Sequence, residues 1–517
     1  MKFYLTTPIY YVNDKPHIGH AYTTVVADTL ARFHRLQGDD VLLVTGTDEN
    51  SQKNVQAMEQ AGETSIAAYL DRMSTAWKQT WIDLGISIDD FVRTTEPRHL
   101  AGVERFWKAV EKTGDLYEGE YHGRYCTGCE SFKTDGEIVS DHCTLHPNKA
   151  LEHIKEKNIF FRLSKYREQL LALYDRLDFV MPEARRNEIR NYVKDHLADV
   201  SVSREAKSLP IGIPVPGNES QRIYVWFDAL LNYMTAVGYG TDEKQFKKYW
   251  PVDLHLVGKD IIKFHCALWP AMIMSASASD PLLRNADGSA KLPAQVYAHG
   301  FFTIDGQKIS KSLGNAVDPR ELVPTYGFDA VRYYLLREIS FGEDGDFSHA
   351  RLAERYNADL ANTLGNLVNR AVAMSRKYFG NGVPKANAKK AKLAGIDETI
   401  SSVTEAYDTS RCDNALATVW THIASANKYI EDMQPFKLIK TDPEKTAEVL
   451  YGVLESCRLY AWLISPAMPE TSNKIFVQLG LAMDQKADHS WDEGLKWGGL
   501  KGGSELPEPV PLFPRIP

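Results

Sequence analysis

His17 and His20 stand in the stretch TTPIYYVNDKPHIGHAY, where an apolar strand-like run (Phe3, Tyr4, Leu5) gives way to a helical pattern from Ile18. A helix that starts there carries both imidazoles on one face, beside backbone N–H groups with no intrahelical partner. Such a helix start favours an anion. A second set lies in GQKISKSLGN, where Lys308 and Lys311 are accompanied by Ser310 and Ser312 after a turn at Asp305 and Gly306. Two ammonium groups on a mobile segment can close over a triphosphate and neutralise charge on a departing pyrophosphate. In a third set Cys126 and Cys129 form CxxC, Cys143 and His146 form CxxH, and thirteen residues separate the pairs. That spacing lets four ligands close tetrahedrally on one zinc ion, with His142 as the rival for the fourth place. Four protein ligands leave no open position, so this zinc is expected to be structural.

These groups need elements to hold them. The opening strand is followed by a helix from Ile18 to about Gln37, a short buried strand at DDVLLVTGTD, and helices over Thr64–Leu84 and Pro97–Lys112, stopped by Gly85 and Gly114. Such alternation predicts an α/β, Rossmann-type parallel sheet with helices on its faces. From about Asp115 the pattern turns to cysteine, histidine and turn residues, is helical around Lys165–Leu177, and ends Pro-rich at SLPIGIPVPGNES. Alternation resumes with RIYVWFDALLNYM and VDLHLVGKDIIKFHCALWP. The expected organisation is therefore a catalytic domain in two halves, residues 1–114 and 222–295, around an inserted zinc-knuckle domain, 115–221. Residues 296–349 carry the KISKS loop. From 350 to 517 the reading is an α-helical bundle with helices over Ala350–Tyr378, Asp397–Glu431, Pro443–Ile464 and Glu470–Leu479, closed by an extended strap ending PVPLFPRIP.

At 517 residues the chain calls for two or three domains, and its 44% hydrophobic and 25% charged residues are ordinary for a soluble globular protein. The net charge of -8 does not exclude a polyanion, because a local basic surface can still bind one. The N-terminus reads as a strand rather than a targeting segment, and no apolar run is long enough to span a bilayer. Clustering of three of the six cysteines points to a metal site in a reducing compartment, hence to the cytoplasm.

HxGH after the first strand and KxSKS after the last resemble the paired signatures of class I aminoacyl-tRNA synthetases. Within that class the chain is most similar to the methionyl-tRNA synthetases, through TTPIYYVN, YCTGCESF, FFRLSKY, YVWFDALLNYM, GKDIIKFH, AHGFFT and the closing LFPRI. The resemblance implies that His17, Gly19 and His20 act at the α-phosphorus of ATP while Lys308, Ser310, Lys311 and Ser312 hold the outer phosphates, with magnesium accompanying the nucleotide. It implies a methionine pocket of Ile9, Tyr11, Asp48, Trp226, Ala229, Leu230, Tyr233 and His299, in which Asp48 holds the ammonium and Trp226, Tyr233 and Ile9 enclose the thioether. It also implies that residues 296–349 contact the tRNA stem and that the bundle reads the anticodon of tRNA(Met) through Asn366, Arg370 and Phe436.

Three departures from the family pattern stand out. The second motif reads KISKS where methionine is usual second, Phe436 replaces a usual tryptophan, and TDENSQK puts Asn50 and Ser51 where His and Gly are usual. About a hundred inserted residues, partly spent on a zinc knuckle, leave no room for the large hydrolytic editing domain of the isoleucyl, valyl and leucyl enzymes. The chain ends where the family's minimal form ends, so a monomer is expected. The rivals are a cysteinyl enzyme, which would need zinc in the amino-acid pocket, a nucleotidyltransferase without tRNA, for which the bundle has no purpose, and a non-catalytic RNA-binding relative, against which the intact motifs argue.

Overall fold

A computed structural model describes the chain except for residues 134, 145, 208, 210, 305, 310–314, 482–489 and 517, and except for the side chains of 121, 122, 131, 132, 135, 146–149, 307 and 308. Its central sheet has six parallel strands: β1 (Lys2–Tyr11), β2 (Asp40–Asp48), β3 (Asp90–Arg93), β4 (Val180–Met181), β5 (Leu254–Gly258) and β6 (Gln295–His299), in the order β4-β6-β5-β1-β2-β3. The fully buried LHLVG of β5 is what a strand covered on both faces requires. Pro8 has no N–H to give the ladder, and the β1–β2 register shifts between Thr6 and Ile9, around it. The order reverses between β1 and β5, so the crevice outside their carboxyl ends is the natural ligand site of such a sheet.

Helix α1 (Ile18–Leu36) follows β1, α2 (Gln52–Gln60) and α3 (Ile66–Asp83) follow β2, and α4 (Pro97–Glu111) follows β3. The stretch 115–221 contains an antiparallel sheet built on Leu116–Cys126 and Glu152–Phe161, with a small three-stranded sheet at its tip. It differs from the sequence reading in two respects. The α-helix near 165–177 covers only Arg167–Leu173, and the chain then returns to the catalytic sheet as edge strand β4. A further helix, Glu183–His196, buries only Arg186, Ile189 and Val193, too sparse an apolar stripe to stand out by periodicity.

Between the sheet and the bundle, Phe302–Ile304 and Gln307–Lys308 form a hairpin whose turn includes Gly306 at φ +72°, and helices Pro319–Tyr326 and Phe328–Arg337 follow. In the bundle, Asn366–Tyr378 continues a π-helical stretch, Tyr356–Gly365, and Pro443–Ile464 and Pro469–Gln478 follow the apolar pattern. The predicted helix over Asp397–Glu431 is two helices, Ile396–Asp408 and Cys412–Met433; Ser410, at φ +61°, breaks it within an unbroken apolar pattern. The terminal strap is extended and pinned by hydrogen bonds from Gln478 to Val510 and between Asn357 and Ile516.

Candidate active site

His17 is the N-cap of α1. Its Nδ1 accepts the Gly19 N–H (3.1 Å), while the His17 N–H donates to His20 Nδ1 (3.2 Å), and the two rings stack with centroids 3.7 Å apart. Gly19 permits this: a Cβ there would lie 3.0 Å from His17 Cε1. Burial, and then the neighbouring His17, hold the His20 imidazole well below its ordinary value, so it is neutral at pH 7.

The chain on either side of residues 310–314 meets this helix start. The Ile309 side chain lies against Gly19, where an added Cβ would be 3.7 Å from Ile309 Cδ1, and the Ile18 N–H donates to the Val317 carbonyl (3.0 Å). The backbone of Lys308 closes the hairpin opposite Thr303. The Lys308 side chain and residues Ser310, Lys311 and Ser312 lie outside the described residues.

The proposed amino-acid residues gather at the carboxyl ends of the strands. Tyr11 and Asp48 are register partners on β1 and β2, with Ile9 opposite Gly46, and His299 ends β6. Trp226, Ala229, Leu230 and Tyr233 come from two short helices, Val225–Ala229 and Asn232–Thr235. Asp48 Oδ1, Tyr11 Oη and Trp226 Nε1 are buried with no hydrogen-bond partner. Burial, followed by the charges of Asp228 and Glu130, pushes the Asp48 carboxyl well above the usual carboxylate range. A site that buries a carboxylate oxygen unpaired is built for a cation that brings donors with it. Lys53 Nζ sits 4.2 Å from the centre of the Tyr11 ring.

Residues that the motifs did not single out support these groups. Trp226 stacks on Phe264 at 3.8 Å, nearly parallel, and Phe264 begins a π-helical turn of the kind found at functional sites. Tyr233 Oη hydrogen-bonds His265 Nε2 (2.8 Å), whose imidazole burial lowers to about 4. His299 Nδ1 bonds the Gly300 carbonyl (2.7 Å), which leaves Nε2 to accept from Thr23 of α1 (2.7 Å). The Asn50 amide donates to Asp228 (2.7 Å), whose other oxygen bonds His99 (2.6 Å), and Ser51 donates to Glu130 (2.7 Å). Side chains thus fill the two positions where the sequence departs from TDEHG.

Among the described residues, the sulfurs of Cys126, Cys129 and Cys143 lie within 4.8 Å of one another and could hold a metal ion. Cys129 and Cys143 are 3.6 Å apart, close to the tetrahedral edge of about 3.8 Å that zinc–sulfur bonds of about 2.3 Å require. His146 stands opposite Cys143 in backbone register, its side chain outside the described residues. His142 does not join the cluster, and its Nδ1 is bonded to the Ser140 carbonyl (2.8 Å). In the bundle, Asn366 and Arg370 lie one helical turn apart, and Arg370 Nη1 is 3.7 Å from Glu431, five residues before Phe436. Phe436, on the single turn Pro435–Leu438, is 51% exposed.

A parallel sheet whose first strand runs into HxGH, with a lysine-bearing loop returning to that helix start, defines a class I aminoacyl-tRNA synthetase. Residues 3–372 match the family described as tRNA synthetases class I (M), and residues 380–517 match the anticodon binding domain of methionyl tRNA ligase. The methionine–tRNA ligase of Synechocystis sp. is 46% identical over 99% of this chain and 97% of its own length, and that of Thermotoga maritima is 43% identical over 100% and 80%. The Mycobacterium tuberculosis methionyl-tRNA synthetase in complex with methionyl-adenylate superposes with a TM-score of 0.92 at 39% identity, covering all of both chains; its free form gives 0.84 at 36%, covering 100% of this chain and 99% of that one. The chain belongs to the methionyl-tRNA synthetase family. No helix among the described residues is long and apolar enough to cross a membrane.

Proposed function

We propose that the chain is a monomeric cytoplasmic enzyme that activates methionine with ATP to methionyl-adenylate and transfers the methionyl group to initiator and elongator tRNA(Met). The observation that carries this reading is the buried, unpaired Asp48 oxygen in a pocket of Tyr11, Trp226 and Tyr233 at the end of the sheet that also holds the HxGH helix. An aromatic, apolar wall with one carboxylate suits a zwitterion with a polarizable thioether. In the first step the methionine carboxylate attacks the α-phosphorus of ATP, and the bond to the bridging oxygen breaks to release pyrophosphate. Asp48 holds the ammonium, while Ile9, Ala229, Leu230, Tyr233, Trp226 and His299 enclose the side chain. His17 and His20, the latter neutral, hydrogen-bond the phosphate that gathers charge, and Lys308, Ser310, Lys311 and Ser312 hold the leaving phosphates. Magnesium bound with ATP supplies further charge neutralisation. In the second step the terminal ribose hydroxyl of tRNA attacks the acyl carbon and AMP leaves.

Residues 1–114 and 222–295 would serve as the catalytic halves, 115–221 as the inserted knuckle, 296–349 as the stem contact and 350–517 as the anticodon reader, through Asn366, Arg370 and Phe436. Cys126, Cys129, Cys143 and His146 would hold one zinc; three converging thiolates with a tetrahedral edge favour that ion. The test is amino-acid-dependent exchange of pyrophosphate into ATP without tRNA, with methionine against cysteine, isoleucine, leucine and valine, followed by charging of both tRNAs. Exchange with methionine alone is expected, and exchange with another of these acids instead would overturn the pocket assignment.

A further inference from the structure

Glu130 follows Cys129 directly and is 2% exposed, deep between the cysteine cluster and the amino-acid pocket. Its backbone is left-handed, at φ +49°, a conformation that a side chain other than glycine's keeps only where its surroundings fix it. Two hydrogen bonds do so, one to the segment after β2 and one to the segment before Val225–Ala229. Its carboxylate Oε1 accepts from Ser51 Oγ (2.7 Å), and its carbonyl accepts from Tyr224 Oη (2.5 Å).

Both partners are helix N-caps close in sequence to pocket residues. Ser51 is the N-cap of α2, taking the Lys53 N–H on its hydroxyl (3.1 Å), and it lies three residues after Asp48. Tyr224 is the N-cap residue of Val225–Ala229 and lies two residues before Trp226. Glu130 Oε2 is buried with no hydrogen-bond partner, and the Glu130 charge pushes up both Tyr11 and Asp48, which places it against the same pocket. A second buried carboxylate beside Asp48 is costly. Its use is geometric: next to a metal ligand, it bonds one wall through its carboxylate and the other through its backbone carbonyl.

We infer that Glu130 is a positioning residue that ties the Asp48 and Trp226 walls of the methionine pocket to the cysteine cluster, so that metal occupancy sets methionine affinity. With the metal bound, Cys129 is fixed, the left-handed turn at Glu130 is held, and both walls stay in register. With the metal removed, that turn relaxes and the walls separate. The inference rests on the methionine-pocket reading above. It adds that Ser51, in place of the usual glycine, supplies the hydroxyl for one of the two ties.

The experiment titrates methionine into Glu130→Ala, Glu130→Gln and wild-type protein, following tryptophan fluorescence, alongside KM for ATP and zinc per chain by atomic absorption. Glu130→Ala should weaken methionine binding by about ten- to a hundredfold, the range for residues that orient a site from outside it, with KM for ATP and zinc content unchanged. Glu130→Gln, which can still accept from Ser51, should recover most of that loss. Chelating the metal from wild type should weaken methionine to the level of Glu130→Ala, and chelating Glu130→Ala should weaken it no further. Wild-type affinity in Glu130→Ala, or equal losses for methionine and ATP, would overturn the inference. If Glu130→Ala does not fold, Ser51→Ala and Tyr224→Phe each remove one neutral hydrogen bond and should cost about fivefold in methionine affinity; no change in either would overturn it equally. Asp48→Asn run in parallel separates the two readings. If it leaves methionine binding intact, the pocket assignment itself fails; if it weakens binding while Glu130→Ala does not, only the role of Glu130 fails.

Discussion

Arg332, on helix Phe328–Arg337, is fully buried where the catalytic sheet meets the bundle, and replacing it with methionine tests how the two are coupled. Its Nη1 lies 2.7 Å from Asp28 Oδ2 on α1, an ion pair outside hydrogen-bond geometry. Nε donates to the Ala467 carbonyl (2.7 Å), and Nη2 to Pro466 (3.2 Å) and to Thr29 (3.3 Å). One guanidinium therefore joins the helix that carries HxGH to the turn between bundle helices Pro443–Ile464 and Pro469–Gln478. Breaking a buried pair costs about 3–5 kcal/mol because the remaining charge is stranded. Asp28 keeps Arg32 (2.7 Å) and the Ser87 N–H and hydroxyl (2.7 and 2.5 Å), which puts the cost near the lower end, about 3 kcal/mol. Burial alone would raise the Asp28 carboxyl, but Arg332 and Arg32 outweigh it and hold it below its ordinary value. The stabilisation is thus present above 3.8 and lost as pH falls through the lower folded value. The assay is urea unfolding of Arg332→Met, Asp28→Asn and the double variant at pH 7, with pyrophosphate exchange and tRNA charging measured on each. Arg332→Met should lower charging more than exchange, since only charging needs the anticodon reader and the adenylate site in fixed relation. A loss below about 1 kcal/mol, as for an exposed pair, or strict additivity in the double variant, would refute the reasoning.

Three further outcomes are expected. Burial raises the Asp329 carboxyl to about 6, against an ordinary 3.8, although the Thr471 N–H on its Oδ2 (2.6 Å) pulls the other way. The folded state therefore binds this proton more tightly, so stability falls as pH rises from about 4 to 6; Asp329→Asn should remove that fall and gain up to about 3 kcal/mol at pH 7, and an unchanged pH profile of the urea midpoint would contradict it. Gly19→Ala should lower the exchange rate about ten- to a hundredfold without destabilising α1, because the added methyl meets the His17 ring at 3.0 Å; wild-type exchange kinetics would show that the stacked ring position is immaterial. Phe436→Ala should weaken tRNA by about ten- to a hundredfold, from a stack worth about 1–3 kcal/mol, leaving exchange unchanged, while Phe436→Trp tightens it; equal KM for tRNA in all three proteins would remove Phe436 from the anticodon site.

The frame of the candidate site was legible in the sequence because its signals are local. HxGH marks a helix start by cap chemistry alone, and His17 does cap α1. CxxC with a distant CxxH announces converging sulfurs, and three of them converge. Strand–helix alternation gave the parallel sheet. What stayed hidden depends on contacts between distant segments or on segments too short to carry a period. Asp28 and Arg332 are 304 positions apart, and neither has a neighbour in sequence that betrays the other. Strand β4 is two residues long and lies inside a stretch that otherwise reads as insertion. The break at Ser410 interrupts no apolar pattern, because both helices it joins face the same core. The role of Asn50 and Ser51 could not be read from TDENSQK at all, since their partners, Asp228 and Glu130, lie 178 and 79 residues further along the chain.

The pairing of β1 with β5 has a consequence for how the protein is made. Leu5 and Leu254 are neighbours in the middle of the sheet, yet one leaves the ribosome about 250 residues before the other. At roughly 5–20 residues per second, β1 waits on the order of 12–50 s with one ladder edge open, held only by β2 on its other side. An open, apolar strand edge is a template for pairing with another nascent chain. During that interval the growing chain needs a protection from its polysome neighbours that the finished sheet, with β5 in place, no longer needs.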